Sequence, residues 1–263
     1  MSKQQQKQVP PTPNRRVTLF VTCLADLFRP SVAFACLDLL EEAGCEVVVP
    51  ADQTCCGQPA YNSGDREAAI PLAQQVVSLL EPADYVVIPS GSCAGMIAHH
   101  YPSLLTGKWR ERALEVSAKT YELTVFLQDI VGIPPRRPIT AAQTSVTYHD
   151  GCAGLRELGI QNQPRQLLKN LCGVEVDELK QSEVCCGFGG TFCAKMPEIS
   201  AKMVDDKLEN ALATGATVLT GGDLGCLMNI AGRARRQGKK LEVRHVAELL
   251  ADQRDIPAIG EGQ

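Results

Sequence analysis

Apolar positions along the chain follow two alternating periods: short β-branched runs and longer stretches with a helical repeat. Val17–Thr22 reads as a strand. A helix follows, opened by Pro30, with Val32, Cys36, Leu39, Leu40 and Ala43 on one face and Gly44 as its stop. A second strand is expected at Glu46–Val49. The programme then repeats with a polar turn through Asn62–Asp65, a helical run to Leu80, and an apolar strand, Tyr85–Ile88, leading into Pro89-Ser-Gly-Ser-Cys93. Pro71 lies inside that helical run, so the helix must start late or kink there. Strands alternating with helices predict an α/β fold with a mostly parallel sheet.

Residues 1–16 carry Val9 as their one apolar residue after Met1 and cannot offset the entropy of being ordered, so a mobile tail is expected. Residues 134–143, PPRRPITAAQ, read as a linker, and 255–263 as a C-terminal tail. These boundaries leave two modules, 17–133 and 144–254.

The two modules repeat one another, and the cysteines carry the repeat. Cys23 matches Cys152, the triplet Cys55-Cys56-Gly57 matches Cys185-Cys186-Gly187, and Cys93 matches Cys226. Flanking residues agree as well, CAGMI at 93–97 aligning with CLMNI at 226–230. Two pseudo-symmetric, duplicated modules are therefore expected, each a small mostly parallel sheet with flanking helices. In such a sheet the loops after successive strands open on one edge, which brings each module's four thiols together.

Composition narrows the chemistry. The 263 residues are 44% apolar and 21% charged, with 26 Lys+Arg against 30 Asp+Glu, which excludes a disordered chain. A net charge of −4 without a long basic run argues against a nucleic-acid partner. No apolar stretch is long enough to span a bilayer, and the N-terminal residues lack the apolar region of a signal peptide, so a cytoplasmic protein is expected. In a reducing compartment, twelve cysteines point to metal or redox chemistry and not to a disulfide framework.

Four convergent thiolates can hold zinc or an iron–sulfur cluster. Adjacent cysteines suit a compact zinc knuckle poorly, whereas neighbouring thiolates can reach different irons of one cluster. Gly57, Gly187, Gly189 and Gly190 allow positive φ, so that amide N–H groups can face cluster sulfides, and helix N-termini favour thiolate. A vicinal disulfide couple is the chemical rival, but it gives no reason for Cys23, Cys93 and their counterparts to recur. The chain has no ferredoxin-type run of cysteines, no GxGxxG opening a helix and no P-loop.

The duplicated motif resembles the cysteine-rich CCG domain family, whose members include the heterodisulfide reductase B subunit and iron–sulfur subunits of glycolate oxidase and anaerobic glycerol-3-phosphate dehydrogenase. PSGSCAGM (89–96), YHDGCAG (148–154), EVCCGFGGTF (183–192) and GCLMNI (225–230) are similar to the lactate-utilisation protein A family, over essentially all of residues 17–250. That resemblance implies an iron–sulfur electron-transfer subunit, not self-sufficient, of a complex oxidising a 2-hydroxy acid, L-lactate to pyruvate. It implies partner subunits that include a ferredoxin-type iron–sulfur protein. It also implies that Cys23, Cys55, Cys56, Cys93, Cys152, Cys185, Cys186 and Cys226 are cluster ligands. The wider family ends its motif in Cys-x-x-Cys, where this chain has Met96 and Asn229. One four-thiolate 4Fe–4S cluster per half is therefore expected, with the five-thiolate non-cubane form left open. The alternatives in function are a heterodisulfide-type thiol reductase subunit and a non-catalytic, metal-stabilised assembly protein.

Around these ligands, His149 and Asp150 could donate to a cluster or relay a proton, and Met96, Asn229 and Cys193 stand near enough in sequence to approach one. Cys36, Cys45 and Cys172 read as buried structural thiols. His99, His100 and His245 read as surface or packing residues. Lys195 with Arg156 could steer an anion, and the Arg233, Arg235, Arg236, Lys239, Lys240 patch reads as a solvated helix end or docking surface.

Overall fold

The computed structural model describes residues 15–133 and 145–261. Among the described residues, seven strands form two parallel sheets, of order β2-β1-β3-β4 and β5-β6-β7. The first comprises β1 (Arg15–Leu19), β2 (Cys45–Val48), β3 (Tyr85–Ile88) and β4 (Thr120–Glu122), and the second β5 (Val146–His149), β6 (Val218–Gly221) and β7 (Glu242–His245). In register, Val17 faces both Val47 and Tyr85, and Val218 faces Val146 and Glu242. An isolated parallel bridge from Val146 to Val176 stands where the second module would have its counterpart of β2. With that bridge counted, the two sheets share one strand order, as duplication requires.

Crossovers in the first module are α1 (Cys23–Phe28), α2 (Pro30–Glu42), α3 (Gln58–Asn62), α4 (Arg66–Leu80), α5 (Gly91–Gly95), α6 (Tyr101–Leu104) and α7 (Gly107–Ser117). A π-helical turn, Met96–His100, joins α5 to α6, and α8 (Leu123–Val125) runs on into a second one, Phe126–Val131. The second module contributes α9 (Cys152–Glu157), α10 (Asn162–Cys172), α11 (Phe192–Lys195), α12 (Pro197–Ala213), α13 (Leu224–Arg236) and α14 (Val246–Leu250). Helix α4 runs unbroken past Pro71, whose missing N–H lies on the exposed side in the second turn.

Several boundaries differ from those expected. Strand β1 opens at Arg15, two residues inside the expected tail, because Arg15 and Arg16 pair with Cys45 and Glu46. It closes at Leu19, because Thr22 has left the sheet to cap α1, its hydroxyl accepting from Ala25 N–H. Residues expected as a C-terminal tail pack back: Ala258 and Ile259 are buried, and Ile259 N–H donates to the Val243 carbonyl, up to Glu261. The rest of the expected N-terminal tail and the 134–143 linker lie outside the described residues.

The modules share a core. One continuous apolar cluster runs from Val17, Leu39 and Leu123 through Val146 and Leu168 to Leu219, Ile230 and Leu250. Docking is reciprocal: α14 of the second module packs on α2 of the first, while α8 and the turn after it pack on α10, the second module's counterpart of α2. Each module thus covers the other's first crossover helix. Charge secures one of these contacts, Arg29 donating to Glu248 at 2.8 Å, with the carboxylate completely buried.

Candidate metal centre

All eight repeated cysteines line one cavity of about 390 Å³ between the modules. Six of them are delivered by loops after strands, at the carboxyl edge of their sheet, and Cys185 and Cys186 follow the isolated bridge at Val176 that takes the place of a strand. Cys23 and Cys152 open α1 and α9, and Cys93 and Cys226 sit in the first turns of α5 and α13. The vicinal pairs lie in the loops before Gly57 and Gly187, with φ +80° and +83°. That left-handed turn aims the Gly57 N–H at Cys55 Sγ and the Gly187 N–H at Cys185 Sγ, both at 3.4 Å. Gly187 is doubly constrained, since a Cβ there would lie 2.8 Å from the Ser200 carbonyl.

Within each quartet the sulfurs touch in series. Cys23, Cys55, Cys56 and Cys93 are linked thiol to thiol, Cys56 Sγ lying 3.3 Å from Cys93 Sγ. Cys152, Cys185, Cys186 and Cys226 repeat the order. Charge collects at the same place in both. Hydrogen bonds from Cys23 and Cys56 lower the Cys55 thiol to about 2, and those from Cys152 and Cys186 lower Cys185 to about 2, the glycine N–H assisting each time. Their donors Cys23, Cys56, Cys152 and Cys186 are pushed up by those bonds and by burial. Cys226 is lowered to about 7, chiefly by Cys186, with the His149 ring adding to it. Four sulfurs linked in series along the cavity wall, with one glycine N–H aimed at one of them in each quartet, are a donor set whose chemistry fits an iron–sulfur group, and loading it would expel the remaining thiol protons.

The surrounding residues divide sharply. His149 is 1% exposed, neither of its ring nitrogens has an oxygen or nitrogen partner, and its nearest nitrogen and the sulfurs of Cys186 and Cys226 all lie within 4.8 Å of one another. Asp150 is turned away, bound twice by Arg165 at 2.9 and 2.8 Å, so it holds its own module together. Asn229 acts on the backbone, its amide donating to the Cys186 carbonyl at 3.0 Å. In the first module Tyr101 does that work, its hydroxyl donating to the Cys56 carbonyl at 2.7 Å, while Met96 is fully buried in the core. Cys193 lies off the cavity, beside Pro197, Ser200 and Asn229, and does not join the second quartet.

Residues outside the cysteine repeat shape the cavity in ways sequence reasoning missed. Asp223 stands three residues before Cys226, as Ser90 stands three before Cys93. The two meet across the modules, Ser90 Oγ donating to Asp223 at 2.7 Å and Ser92 N–H at 3.1 Å. The repeat spacing was the available signal, since both are helix N-caps. Close passage at this seam needs Gly91, where a Cβ would lie 2.8 Å from Gly154 Cα. His100 is a cavity residue, reaching Glu157 of the other module at 3.0 Å. His245 is buried and straddles the seam, its Nε2 3.2 Å from the Pro89 carbonyl while Nδ1 accepts from Ala247 N–H. Cys36, Cys45 and Cys172 are buried in the core, as expected. Lys195 is exposed and off the cavity, Arg156 donates to the Glu183 carbonyl, and Arg233 of the basic patch is held by Asp205 at 2.6 Å.

Two thiol quartets on a duplicated parallel α/β frame define a class, the cysteine-rich domain family CCG, whose profile matches residues 17–98 and 146–231. Lactate utilization protein A 2 of Bacillus cereus (strain AH820) is 44% identical over 238 residues, 90% of this chain and 98% of that protein. Lactate utilization protein A of Halalkalibacterium halodurans is 47% identical over 240 residues, 90% of this chain and 97% of that protein. The chain belongs to the lactate utilization protein A family, within the CCG class. A crystal structure of a hypothetical protein from Helicobacter pylori shares the fold, with a TM-score of 0.61 at 11% identity over 96% of this chain, which spans 50% of that one. Among the described residues, no helix is long and apolar enough to cross a membrane.

Proposed function

We propose that this protein is the iron–sulfur electron-transfer subunit of a cytoplasmic complex that oxidises a 2-hydroxy acid, L-lactate to pyruvate, with one 4Fe–4S cluster held by each quartet. The observation that carries this reading is the convergence of all eight repeated cysteines on a single cavity. The reaction comes from relatives that carry the name lactate utilization protein A. When bound, such clusters supply one-electron chemistry, accepting and passing electrons without breaking bonds.

The chain's own residues hold and tune. Gly57 and Gly187 N–H groups stabilise negative charge on Cys55 and Cys185. Tyr101 and Asn229 fix the carbonyls of Cys56 and Cys186 and so the direction of their side chains. The Ser90–Asp223 contact sets how closely the two quartets approach. Substrate dehydrogenation then falls to a partner subunit, and electrons leave through a ferredoxin-type partner.

The test is iron and acid-labile sulfide on the full chain purified without oxygen, with electron paramagnetic resonance before and after dithionite. About eight irons and eight sulfides per chain with redox-dependent signals are expected for two four-iron clusters. Cys55→Ser and Cys185→Ser should each remove about half the iron, and Cys193→Ser none of it. Stoichiometric zinc without iron would overturn the reading in favour of a metal-stabilised assembly protein. Metal-free protein with reducible vicinal disulfides would overturn it in favour of a thiol reductase.

A further inference from the structure

The two quartets are built alike, but the walls behind them are not. Three residues before Cys152 stands His149, and three residues before Cys23 stands Phe20. Both leave the end of the first strand of their module and both are buried, at 1% and 0% exposure. Phe20 belongs to the apolar core of the first module. His149 instead brings an imidazole to the second quartet, within 4.8 Å of the Cys186 and Cys226 sulfurs.

A buried imidazole with neither nitrogen bonded to an oxygen or nitrogen is costly, and native folds retain such a group where something at the site satisfies it. The adjacent acid does not, since Asp150 is committed to Arg165. That also bears on how His149 would act. A ligating histidine has its other ring nitrogen oriented by a carboxylate or carbonyl, and His149 has neither. An N–H directed at sulfur needs no such support.

Resting on the iron–sulfur reading, we propose that His149 makes the two centres inequivalent: it donates its ring N–H to the sulfur face of the second centre, where the first presents Phe20. Hydrogen bonds to cluster sulfur raise the reduction potential, and an apolar wall does not. The second module then holds the stronger electron acceptor of the two, and the duplicated frame acquires a direction. His149 is a positioning residue here, acting on the centre through sulfur and not as a fifth ligand.

The experiment is a redox titration followed by electron paramagnetic resonance on the anaerobically purified full chain, with iron counted in each sample. Wild-type protein is expected to show two separate midpoints. His149→Phe, which gives the second module the first module's residue, should lower the upper midpoint toward the lower one and leave the lower unmoved. His149→Gln, which keeps an N–H donor, should hold the upper midpoint near its wild-type value, even if His149→Phe loses a cluster. Full iron in His149→Phe with both midpoints unmoved overturns the inference. Loss of half the iron in both variants also overturns it and makes His149 a ligand. Wild-type protein without iron would remove the reading beneath it, an outcome distinct from either.

Discussion

Arg29→Ala tests whether the two modules are held by a buried charge pair or by apolar packing alone. Arg29, at the junction of α1 and α2, meets Glu248 of α14 at 2.8 and 3.3 Å, with side-chain exposures of 11% and 0%. Breaking such a pair from one side leaves a buried carboxylate without its counter-charge, which costs about 3–5 kcal/mol. Two donors survive the substitution, the Ser31 hydroxyl at 2.6 Å and the His245 N–H at 3.0 Å, and they pull the cost toward the lower end. A loss of about 3 kcal/mol is expected, or roughly 6–12 °C in Tm for a chain of this size. The assay is thermal and urea denaturation of metal-free protein, with Lys202→Ala as control. Lys202 pairs with Asp206 at 74% and 46% exposure, so its loss should cost no more than about 0.5 kcal/mol. If Arg29→Ala costs no more than Lys202→Ala, the charge pair is not what holds this seam.

Stability should also depend on pH through Glu122, which caps α8 from a buried position and is pushed up to about 7, chiefly by burial. The folded protein keeps that proton to near pH 7, while the unfolded chain loses it near 4.5, so this contribution is full below 4.5 and is lost as pH rises to 7. Glu122→Gln should therefore be more stable than wild type at pH 8, by up to about 3 kcal/mol, with the gap closing by pH 5 in urea melts. A gap independent of pH would refute this. Gly187→Ala forces a side chain into φ +83° and to 2.8 Å from the Ser200 carbonyl. It should cost about 2–4 kcal/mol in the same melts and lower iron retained by the second module, and unchanged iron content would show that the loop relaxes freely.

Much of the site was legible because cysteine is scarce and its placement is chemically expensive. Eight cysteines at repeating intervals identified both quartets, and the Cys-Cys-Gly triplets identified the two turns with positive φ. Neighbouring polar residues were less legible, because a side chain's type does not say where it points. His149 and Asp150 are adjacent, yet one faces sulfur and the other is claimed by Arg165. Asn229 and Met96 occupy matching positions, yet one holds a backbone carbonyl and the other fills the core.

From its residues alone the chain determines its local elements, its duplication and its two cysteine quartets, since periodicity, turn glycines and cysteine spacing act over short range. Tertiary structure alone decides that both quartets open into one cavity and that Asp223 reaches Ser90 across the seam. It decides too that α14 lies on the opposite module's α2. These are contacts between residues far apart in sequence, and they depend on how two sheets with a common core settle against one another, which no local pattern encodes.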